Sequence, residues 1–492
     1  MNLLVFAPVL VPLIGGAALS LIVPKGTAYR KMRQMYVSGI IIITAILVLL
    51  VAVTGNKELR FFELTEAINI YFYVDGLSRF FMVLATGIWL LVMFYIFEHI
   101  ENDGKDNRFF SFFLATFGAV LGACLSGNFF TLYLFYEFIT LLTYPLVVHF
   151  GTPDAMKGGN KYLMYSFSGA ALTLIGFIVL TNFGEATDFT AGGILDASLV
   201  YGNETVLLIV FVLAFIGLGT KAYIWPMFDW VPSSYPQAPA PAAALFSGIV
   251  SKVAVLAIIR LIFFMYGYEF ILGTWAQTLL IVITLLTVFI GSMLAYREKL
   301  LLRRLAYSSV SQLSYVLFGL ILLSYTAFLG AMLHVMFHAI IKAALFLSAG
   351  AIIRQTNKEY VDELNGIGKS MPITMWCFTM ASIALVGIPP TGGFISKWNL
   401  AMGSIETGTS LGLVGAGILL ISALLTAGYL MSIVTTAFFP GAKFNYESVI
   451  GSEPTKLVFI PLIILASLSL ILGMFPAVII NFISTISGLI FV

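Results

Sequence analysis

Titratable side chains lie inside long apolar stretches of this sequence, where such groups are rare. The deep acid is Glu137, which has apolar and aromatic residues on both sides. The titratable bases in comparable positions are Lys221, Lys252, His334, His338, Lys342 and Lys397. Because a charged group in hydrocarbon is costly, residues placed in this way usually have a function. Their types predict a row of groups that bind and release protons.

Glu137 and the deep lysines can control one another's protonation. Desolvation disfavours a charged form, so a lone carboxylate in hydrocarbon takes up a proton and a lone lysine tends to release one. A lysine that faces Glu137 can stay charged, and movement or protonation of the carboxylate then releases its proton. The alternatives are a structural ion pair, a protonated acid, or a lysine that caps free helix carbonyls. One deep acid among several deep bases favours a proton relay.

Three titratable residues recur every four positions in AMLHVMFHAIIKAALFLSAG. They are His334, His338 and Lys342, and this spacing places them on one helix face. Histidine titrates near neutral pH, which suits a proton shuttle. A lone histidine here would more simply be a core residue, but a stripe of three favours the pathway. No third metal ligand accompanies the histidines, and Cys124 and Cys377 form no CxxC motif, so neither a metal nor a cofactor is predicted.

Hydroxyl groups are dense between Tyr307 and Tyr315, in the sequence YSSVSQLSY. Such groups suit the hydrated lining of a pathway. Serines also allow helices to pack closely in a membrane, so the pattern leaves both explanations open.

Prolines accompany two of the deep lysines. Pro226 follows Lys221 by five residues, whereas Pro389 and Pro390 precede Lys397. A proline interrupts a helix and frees backbone carbonyls, which a membrane tolerates only where protein or water covers the gap. The sequence therefore predicts two broken helices.

The composition indicates which elements carry these residues. The chain has 492 residues, of which 60% are hydrophobic and 10% charged. These values exclude an ordinary soluble domain and predict an all-α polytopic membrane protein. Apolar segments of about 20 residues suffice to cross a bilayer. We count fourteen, at 3–23, 34–54, 72–97, 109–126, 128–150, 161–182, 205–228, 242–266, 271–295, 305–323, 325–352, 374–401, 411–438 and 456–490.

The last apolar segment, 456–490, is too long for one straight span. Gly473 and Pro476 predict either a kink or a helix end followed by an interfacial segment. No connecting loop is long enough to hold a soluble domain. The chain therefore works inside the membrane or through partner subunits, and the sequence predicts no nucleic-acid partner.

Basic residues predict the topology, since cytoplasmic loops are enriched in lysine and arginine. Loops after even-numbered segments carry only Lys57 and Arg60. Loops after odd-numbered segments carry Lys25, Arg30, Lys31, Arg33, Lys105, Arg108, Lys157, Lys161, Arg297, Lys299, Arg303, Arg304, Arg354, Lys358, Lys369, Lys443 and Lys456. Both termini are thus expected on the outer side of the cytoplasmic membrane of a prokaryote. Arg79 and Arg260 lie near segment ends, from which they can snorkel toward the interface.

The two predicted breaks lie five segments apart, in segments 7 and 12. An odd offset gives two units opposite orientations, so segments 4–8 and 9–13 form an inverted repeat. Paired broken helices of this kind indicate a site near the membrane midplane. The expected division is 1–108 for the first three segments, 109–266 for the first repeat, 271–438 for the inverted repeat, and 439–492 for a cytoplasmic loop and the last segment.

These motifs together resemble the antiporter-like subunits shared by Mrp-type cation/proton antiporters, respiratory complex I and membrane-bound hydrogenases. The resemblance covers segments 4–13 and rests on Glu137, Lys221 before Pro226, APAPAAALFSGIVSKV, HxxxHxxxK and GIPPTGGFISKW. WVPSSYPQAPAP is most similar to the D-type subunit of Mrp antiporters, or to its counterpart in Mrp-derived hydrogenase or sulfur-reducing complexes. Complex I members more often have an acid and a histidine where Ser234 and Tyr235 stand.

The resemblance implies a fold of fourteen helices with a five-helix inverted repeat. It implies that Glu137 and Lys221 form the key pair, and that Lys252, the two histidines and Lys397 continue a central hydrated axis. It further implies that the chain works only inside a complex. The expected partners are other membrane subunits, protons, Na⁺ and the lipid bilayer.

The function predicted from these observations is Na⁺/H⁺ antiport by one subunit of a multi-subunit complex. An alternative is a proton- or sodium-pumping subunit of a redox-driven complex, such as a membrane-bound hydrogenase, a sulfane reductase or a complex I-like enzyme. An independent solute transporter fits less well, because the deep polar groups are mostly titratable. A scaffold would leave the deep lysines unexplained, and no motif indicates catalysis by the chain itself.

Overall fold

The computed structural model describes residues 3–63, 65, 68–100, 104–184, 187–441, 444, 445 and 451–491. Lys443, which contributes to the predicted topology, lies outside the described residues. We number the long helices so that each matches the apolar segment of the same number.

The described chain is predominantly helical. Its long helices are α1 (Leu3–Ile22), α2 (Arg30–Val53), α3 (Gly76–His99), α4 (Asp106–Cys124), α5 (Phe129–Val147), α6 (Pro153–Leu180), α7 (Glu204–Gly219), α8 (Ala240–Tyr266), α9 (Trp275–Arg297), α10 (Leu301–Ile321), α11 (Tyr325–Thr356), α12a (Pro372–Val386), α12b (Gly392–Glu406), α13 (Ser410–Phe438), α14a (Lys456–Met474) and α14b (Ala477–Ile490).

Within the described ranges, eleven helices are long and apolar enough to cross a membrane. Three shorter apolar helices, α7, α12a and α14b, accompany them. The all-α membrane class is therefore confirmed, while the number of spans, expected to be about fourteen, stays a prediction.

Short elements fill the connections. A two-stranded antiparallel hairpin joins α2 to α3, with β1 (Glu58–Glu63) paired to β2 (Asn69–Tyr73) and a register shift between Arg60 and Phe62. The hydropathy pattern did not predict this hairpin. Short helices cover Thr27–Tyr29, Ala197–Val200, Val231–Ser234, Tyr235–Gln237, Tyr268–Ile271, Val361–Glu363 and Ile367–Ser370.

Polar side chains set where several helices begin. Asp75 accepts from the Ser78 amide at 2.8 Å at the start of α3, and Asn128 accepts from the Thr131 amide at 2.8 Å at the start of α5. Each satisfies a backbone donor that the first helical turn leaves free. Both caps lie at the same end of the bundle, and the second fixes the start of α5, the helix that carries Glu137.

Both predicted breaks are present. Helix α7 ends at Gly219, and the chain continues through turns to a single helical turn that starts at Val231. Helix α12a ends at Val386, before Gly387 with a φ of 91°, and α12b starts at Gly392. The last apolar segment is also divided, into α14a and α14b, at Phe475 and Pro476.

Helices α8 and α11 form the centre of the molecule. Every residue of α8 is buried, and α11 is buried along nearly all of its apolar stretch. By contrast, only 28% of the apolar stretch of α13 is buried, as expected for a peripheral helix. Helix α8 is also irregular, because Phe246–Val250 and Leu261–Tyr266 are π-helical, a distortion frequent at functional sites.

Glycines bring α6 and α7 into backbone contact just before the break. A Cβ atom on Gly217 would lie 2.5 Å from the Gly169 carbonyl oxygen, and one on Gly169 would lie 2.6 Å from the Gly217 carbonyl oxygen. Neither contact tolerates a methyl group, so this crossing depends on glycine at both positions. The tight crossing fixes the end of α7, where Lys221 follows.

We expect Gly217→Ala to destabilise the protein, because the new methyl group would force α7 away from α6. Overpacking of this kind costs about 1–3 kcal/mol. The thermal unfolding midpoint of the solubilised complex should fall. Gly417→Ala in α13 is the control, since nothing lies within 4 Å of a Cβ atom at that position. Equal midpoints for the two variants would contradict the predicted tight crossing.

Candidate functional site

Lys221 and Glu137 form a buried ion pair. Lys221 Nζ lies 3.2 Å from Glu137 Oε1 and donates to the Tyr136 carbonyl oxygen at 2.8 Å. The ammonium also lies 3.4 Å from the centroid of the Tyr136 ring, a cation–π contact. The Lys221 side chain is 3% exposed, but that of Glu137 is 20% exposed. The lysine is therefore enclosed by the protein, whereas the carboxylate reaches its surface.

The break after α7 is what places Lys221 beside α5. Carbonyls freed by the break are satisfied by side chains, since Tyr136 Oη donates to the Leu218 carbonyl at 3.0 Å and Trp230 Nε1 donates to the Thr220 carbonyl at 3.1 Å. The Trp225 amide donates to Thr287 Oγ1 at 3.1 Å. The irregular segment is thus covered by protein, as a membrane requires.

Lys252 contacts His338 directly. Lys252 Nζ lies 2.6 Å from His338 Nδ1 and 3.4 Å from Ser251 Oγ, and it donates to the Ser247 carbonyl. Ser247 belongs to the first π-helical stretch of α8. A proton can pass between the ammonium and the imidazole without an intervening water.

Serines of α10 connect Lys252 to Lys342. Ser247 Oγ lies 2.8 Å from Ser309 Oγ, and the Leu305 carbonyl accepts both from Ser309 Oγ and, at 3.0 Å, from Lys342 Nζ. Lys342 Nζ also donates to Ser308 Oγ. The Ser308 hydroxyl therefore contacts a base of the row directly, whereas the Ser309 hydroxyl shares only the Leu305 carbonyl with Lys342.

Another part of the YSSVSQLSY segment serves packing. Ser311 Oγ lies 3.2 Å from Ser422 Oγ, and both contact Ser292 Oγ, at 2.7 and 2.5 Å. These three serines join α9, α10 and α13 through mutual hydrogen bonds. The packing explanation left open by the sequence thus applies to these residues, while the hydrated lining stays a prediction.

His334 and Lys397 lie at the other end of the row. The rings of His334 and His338 are 5.8 Å apart, and His334 Nδ1 lies 2.9 Å from Ser396 Oγ. Lys397 follows Ser396 in α12b, and its ammonium lies 5.1 Å from the ring centroid of Tyr315. Tyr315 in turn stacks on His334, with ring centroids 5.6 Å apart.

Lys397 caps the end of α12a, where the predicted break at Pro389 and Pro390 leaves backbone carbonyls without helical partners. Lys397 Nζ donates to the carbonyls of Leu385 at 2.6 Å and Val386 at 3.1 Å, just before Pro389 and Pro390. Lys397 makes no ion pair with any described residue. Lys397 therefore caps free helix carbonyls, which is the alternative role that the sequence left open for a deep lysine.

Lys221 and Lys252 are separated by two tyrosines that the sequence did not single out. Tyr223 Oη and Tyr235 Oη are hydrogen-bonded to each other, and Tyr223 Oη donates to the Phe246 carbonyl at 3.2 Å. A cavity of about 10 Å³ lies beside Lys221 and Tyr223, close to the smallest volume that holds one water. The only sequence signal for Tyr235 was its departure from the complex I pattern.

Arg260 does not snorkel, contrary to the expectation from its position near a segment end. It is 2% exposed, and its Nη1 lies 2.6 Å from Asp75 Oδ2. Its guanidinium also lies over the rings of Phe189 and Phe264, 4.9 and 4.6 Å from their centroids. This ion pair joins α8 to the start of α3, and hydropathy alone cannot reveal such a partner.

Metal-ligand geometry is not evident at these residues. Within the described ranges, no group of three or more histidine, cysteine, aspartate or glutamate residues is arranged to hold a metal ion. Cys124 and Cys377 are buried and free. The arrangement is suited to moving protons among lysine, histidine and hydroxyl groups.

Comparison with protein families gives two matches. Residues 126–426 match the model of the NADH:quinone oxidoreductase/Mrp antiporter transmembrane family. Residues 63–110 match the model of the N-terminus of chain 5 of NADH-ubiquinone oxidoreductase, complex I. The first match covers all seven titratable residues of the row.

Curated relatives are similar over most of their length. The chain is 30% identical to the N subunit of NADH-quinone oxidoreductase from Desulforudis audaxviator, over 83% of this chain and 82% of the relative. It is 28% identical to the D-type subunit of the Na⁺/H⁺ antiporter from Alkalihalophilus pseudofirmus, over 96% of this chain and 94% of the relative.

Solved structures show the same fold at low identity. A chain of the Mrp complex from Dietzia sp. superposes with a TM-score of 0.84 at 20% identity, over 99% of this chain and 97% of that chain. A chain of the archaeal membrane-bound sulfane sulfur reductase gives 0.85 at 22% identity, with the same coverage. With the family match and the shared fold, the chain belongs to the family of antiporter-like membrane subunits common to NADH:quinone oxidoreductases and Mrp antiporters.

Proposed function

We propose that this subunit carries protons through the membrane for Na⁺/H⁺ exchange of the Mrp type, inside a multi-subunit complex. The observation that supports the proposal most strongly is the Glu137–Lys221 ion pair at one end of a buried row of bases. The row continues through Lys252, His338 and Lys342, with His334 and Lys397 on its other branch.

The ion pair can act as the switch of this row. While Glu137 is charged, it offsets the desolvation of the Lys221 ammonium. When Glu137 is protonated or drawn toward another group, Lys221 loses that attraction and releases its proton. The Tyr223 and Tyr235 hydroxyls, or one water in the small cavity, offer the next acceptor on the way to Lys252.

Beyond Lys252 the proton has two routes. The direct contact with His338 leads toward His334 and, through the Tyr315 region, to Lys397. The route to Lys342 passes the hydroxyls of Ser247 and Ser309. Ser309 and Lys342 meet only at the shared Leu305 carbonyl, so this transfer needs a water between the hydroxyl and the ammonium.

Exposure of Glu137 supports a partner subunit at this edge. The Glu137 side chain is 20% exposed. A carboxylate that faces lipid at mid-membrane is costly, so a membrane subunit of the same complex is expected to cover it. At the far end of the row, Lys397 is half-buried beside Trp398, which is 57% exposed. This edge too is suited to another subunit.

Two observations favour the Mrp type over a redox pump. The relative from the Na⁺/H⁺ antiporter is matched over 94% of its length, compared with 82% for the relative from NADH-quinone oxidoreductase. Tyr235 also occupies a position where complex I members more often have a histidine. The 30% identity to the NADH-quinone oxidoreductase relative keeps a redox-driven complex as the second candidate.

The proposal includes the topology and the division of the chain. Residues 109–266 and 271–438 are proposed as oppositely oriented repeats, flanked by 1–108 and 439–492, with both termini on the outer side. A cysteine placed at Lys299 should react with an impermeant maleimide only from the cytoplasmic side, and one at Tyr201 only from outside. The native cysteines are buried and give a low background. Labelling of both positions from the same side would contradict this topology.

We expect Glu137→Gln and Lys221→Ala each to lower proton transport at least tenfold while the complex still assembles. Either change removes one partner of a buried charge pair that the proposed switch requires. Transport is measured as Na⁺-dependent proton movement in everted vesicles, and assembly by native gel electrophoresis.

The chain provides a matched control for this pair. Lys161 and Asp229 form an ion pair with side chains 31% and 54% exposed. Because exposed pairs contribute little, Lys161→Ala and Asp229→Asn should keep near-normal transport. Full transport in Glu137→Gln or Lys221→Ala would exclude the proposed switch.

The two candidate complexes differ in what drives the protons. In liposomes that contain the purified complex, an imposed Na⁺ gradient alone should move protons if the exchange is of the Mrp type. If the protons move only when an electron donor is supplied, the result would contradict Mrp-type exchange and support the redox-driven function.

A further inference from the structure

A groove with a volume of about 540 Å³ opens on the outside of α1, α4 and α5. It is separate from the row of bases. Small side chains line most of its length, and an exposed aromatic ring, Phe138, stands at one wall. The small residues that line it are Gly16, Ala17, Ser20, Ser111 and Ala115.

Close packing of α1 on α4 creates this groove. A Cβ atom on Gly16 would lie 2.5 Å from the Ser111 carbonyl oxygen, so the two backbones touch there. Beside this contact the small side chains of Ala17 and Ala115 line the groove, while the larger side chains of Leu13, Phe112 and Leu142 form its walls. Phe138, 47% exposed, completes the trough on the α5 side.

One end of the groove is positively charged. Lys25, just after α1, and Arg108, in the first turn of α4, both line it and are exposed. Lys25 makes no hydrogen bond or ion pair with a described residue. Arg108 Nη2 donates to the His149 carbonyl at 2.9 Å, which leaves other guanidinium donors available.

No acid neutralises this end among the described residues that line the groove. The nearby Asp106 is engaged elsewhere, because its Oδ2 lies 2.6 Å from Arg33 Nη2. Asn107 is also engaged, since it donates to the Val23 carbonyl at 2.7 Å and accepts from Arg33 at 3.0 Å. The groove therefore presents two cations above an apolar channel.

We propose that the groove binds an anionic phospholipid. The headgroup phosphate contacts Lys25 and Arg108, and one acyl chain lies along α1 and α4 as far as Phe138. From Leu13 to the end of α1 at Ile22 the groove extends about 15 Å at 1.5 Å per residue. That length matches the hydrocarbon depth of one leaflet, about 15 Å.

The charges favour a lipid over a partner helix. Two exposed cations, Lys25 and Arg108, stand at one end of the groove. They match a phosphate better than the apolar surface of a membrane helix.

The inference does not depend on the proposed transport function. It does place the lipid next to the transport machinery, because Phe138 directly follows Glu137 in α5. A lipid held there would pack against the helix that carries the carboxylate.

The test measures lipid retention by the purified complex, with its partner subunits, by native mass spectrometry. Phosphatidylglycerol and phosphatidylcholine are the probes. Lys25→Gln combined with Arg108→Gln should weaken phosphatidylglycerol binding roughly 30-fold, given the contribution of each surface cation. Ala17→Phe should also abolish binding, because the ring fills the groove while both cations remain.

Two controls separate a loss of lipid binding at the groove from effects of net charge and from loss of transport. Arg297→Gln combined with Lys299→Gln removes the same charge from another exposed loop and should leave phosphatidylglycerol binding unchanged. Glu137→Gln should bind phosphatidylglycerol like the unmodified complex even if it cannot transport. Failure of the transport proposal would then be distinguishable from failure of the lipid proposal.

Three results would overturn the proposal. Phosphatidylglycerol retention could be unaffected by both groove variants, or phosphatidylcholine could be retained equally well. Alternatively, a cysteine at Ala17 could crosslink to a partner subunit in high yield, which would mean that protein fills the groove.

Discussion

The buried ion pair of Lys221 and Glu137 is the interaction on which the rest of the structure depends. An ammonium in a low-dielectric interior requires a counter-charge and further hydrogen bonds, because attraction alone does not offset its desolvation. The Tyr136 carbonyl and ring supply those additional contacts. Helix α7 has to end at Gly219 for Lys221 to reach these contacts. The break, the tight glycine crossing of α6 and α7, and the cap of α5 therefore all help to place Lys221 beside Glu137.

Beyond this pair, the row of bases depends on the irregular geometry of α8. Its first π-helical stretch contains Ser247, whose carbonyl accepts from Lys252 and whose hydroxyl contacts Ser309. The row thus runs through the two most buried helices, α8 and α11, where water has little access. Inside these helices Lys252 contacts His338 directly and Lys342 contacts the Ser308 hydroxyl.

The two broken helices share a pattern of lysine and proline but differ in electrostatics. At α7 the lysine faces a carboxylate, whereas at α12 Lys397 faces only backbone carbonyls among the described residues. An ammonium held by carbonyl dipoles alone is less stabilised than one in an ion pair. The two ends of the row are therefore electrostatically unequal.

The sequence alone determined the membrane class, the approximate segments, the two breaks and the identity of the deep titratable residues, because hydropathy, proline chemistry and helical spacing are local properties. It also predicted that His334, His338 and Lys342 share a face. Only the tertiary structure decided that Lys221 touches Glu137, 84 residues away, that Arg260 pairs with Asp75 and that Tyr223 and Tyr235 separate two lysines. Such contacts depend on how helices cross, which is set by close packing of distant residues such as Gly169 and Gly217 and leaves no periodic signal in the chain.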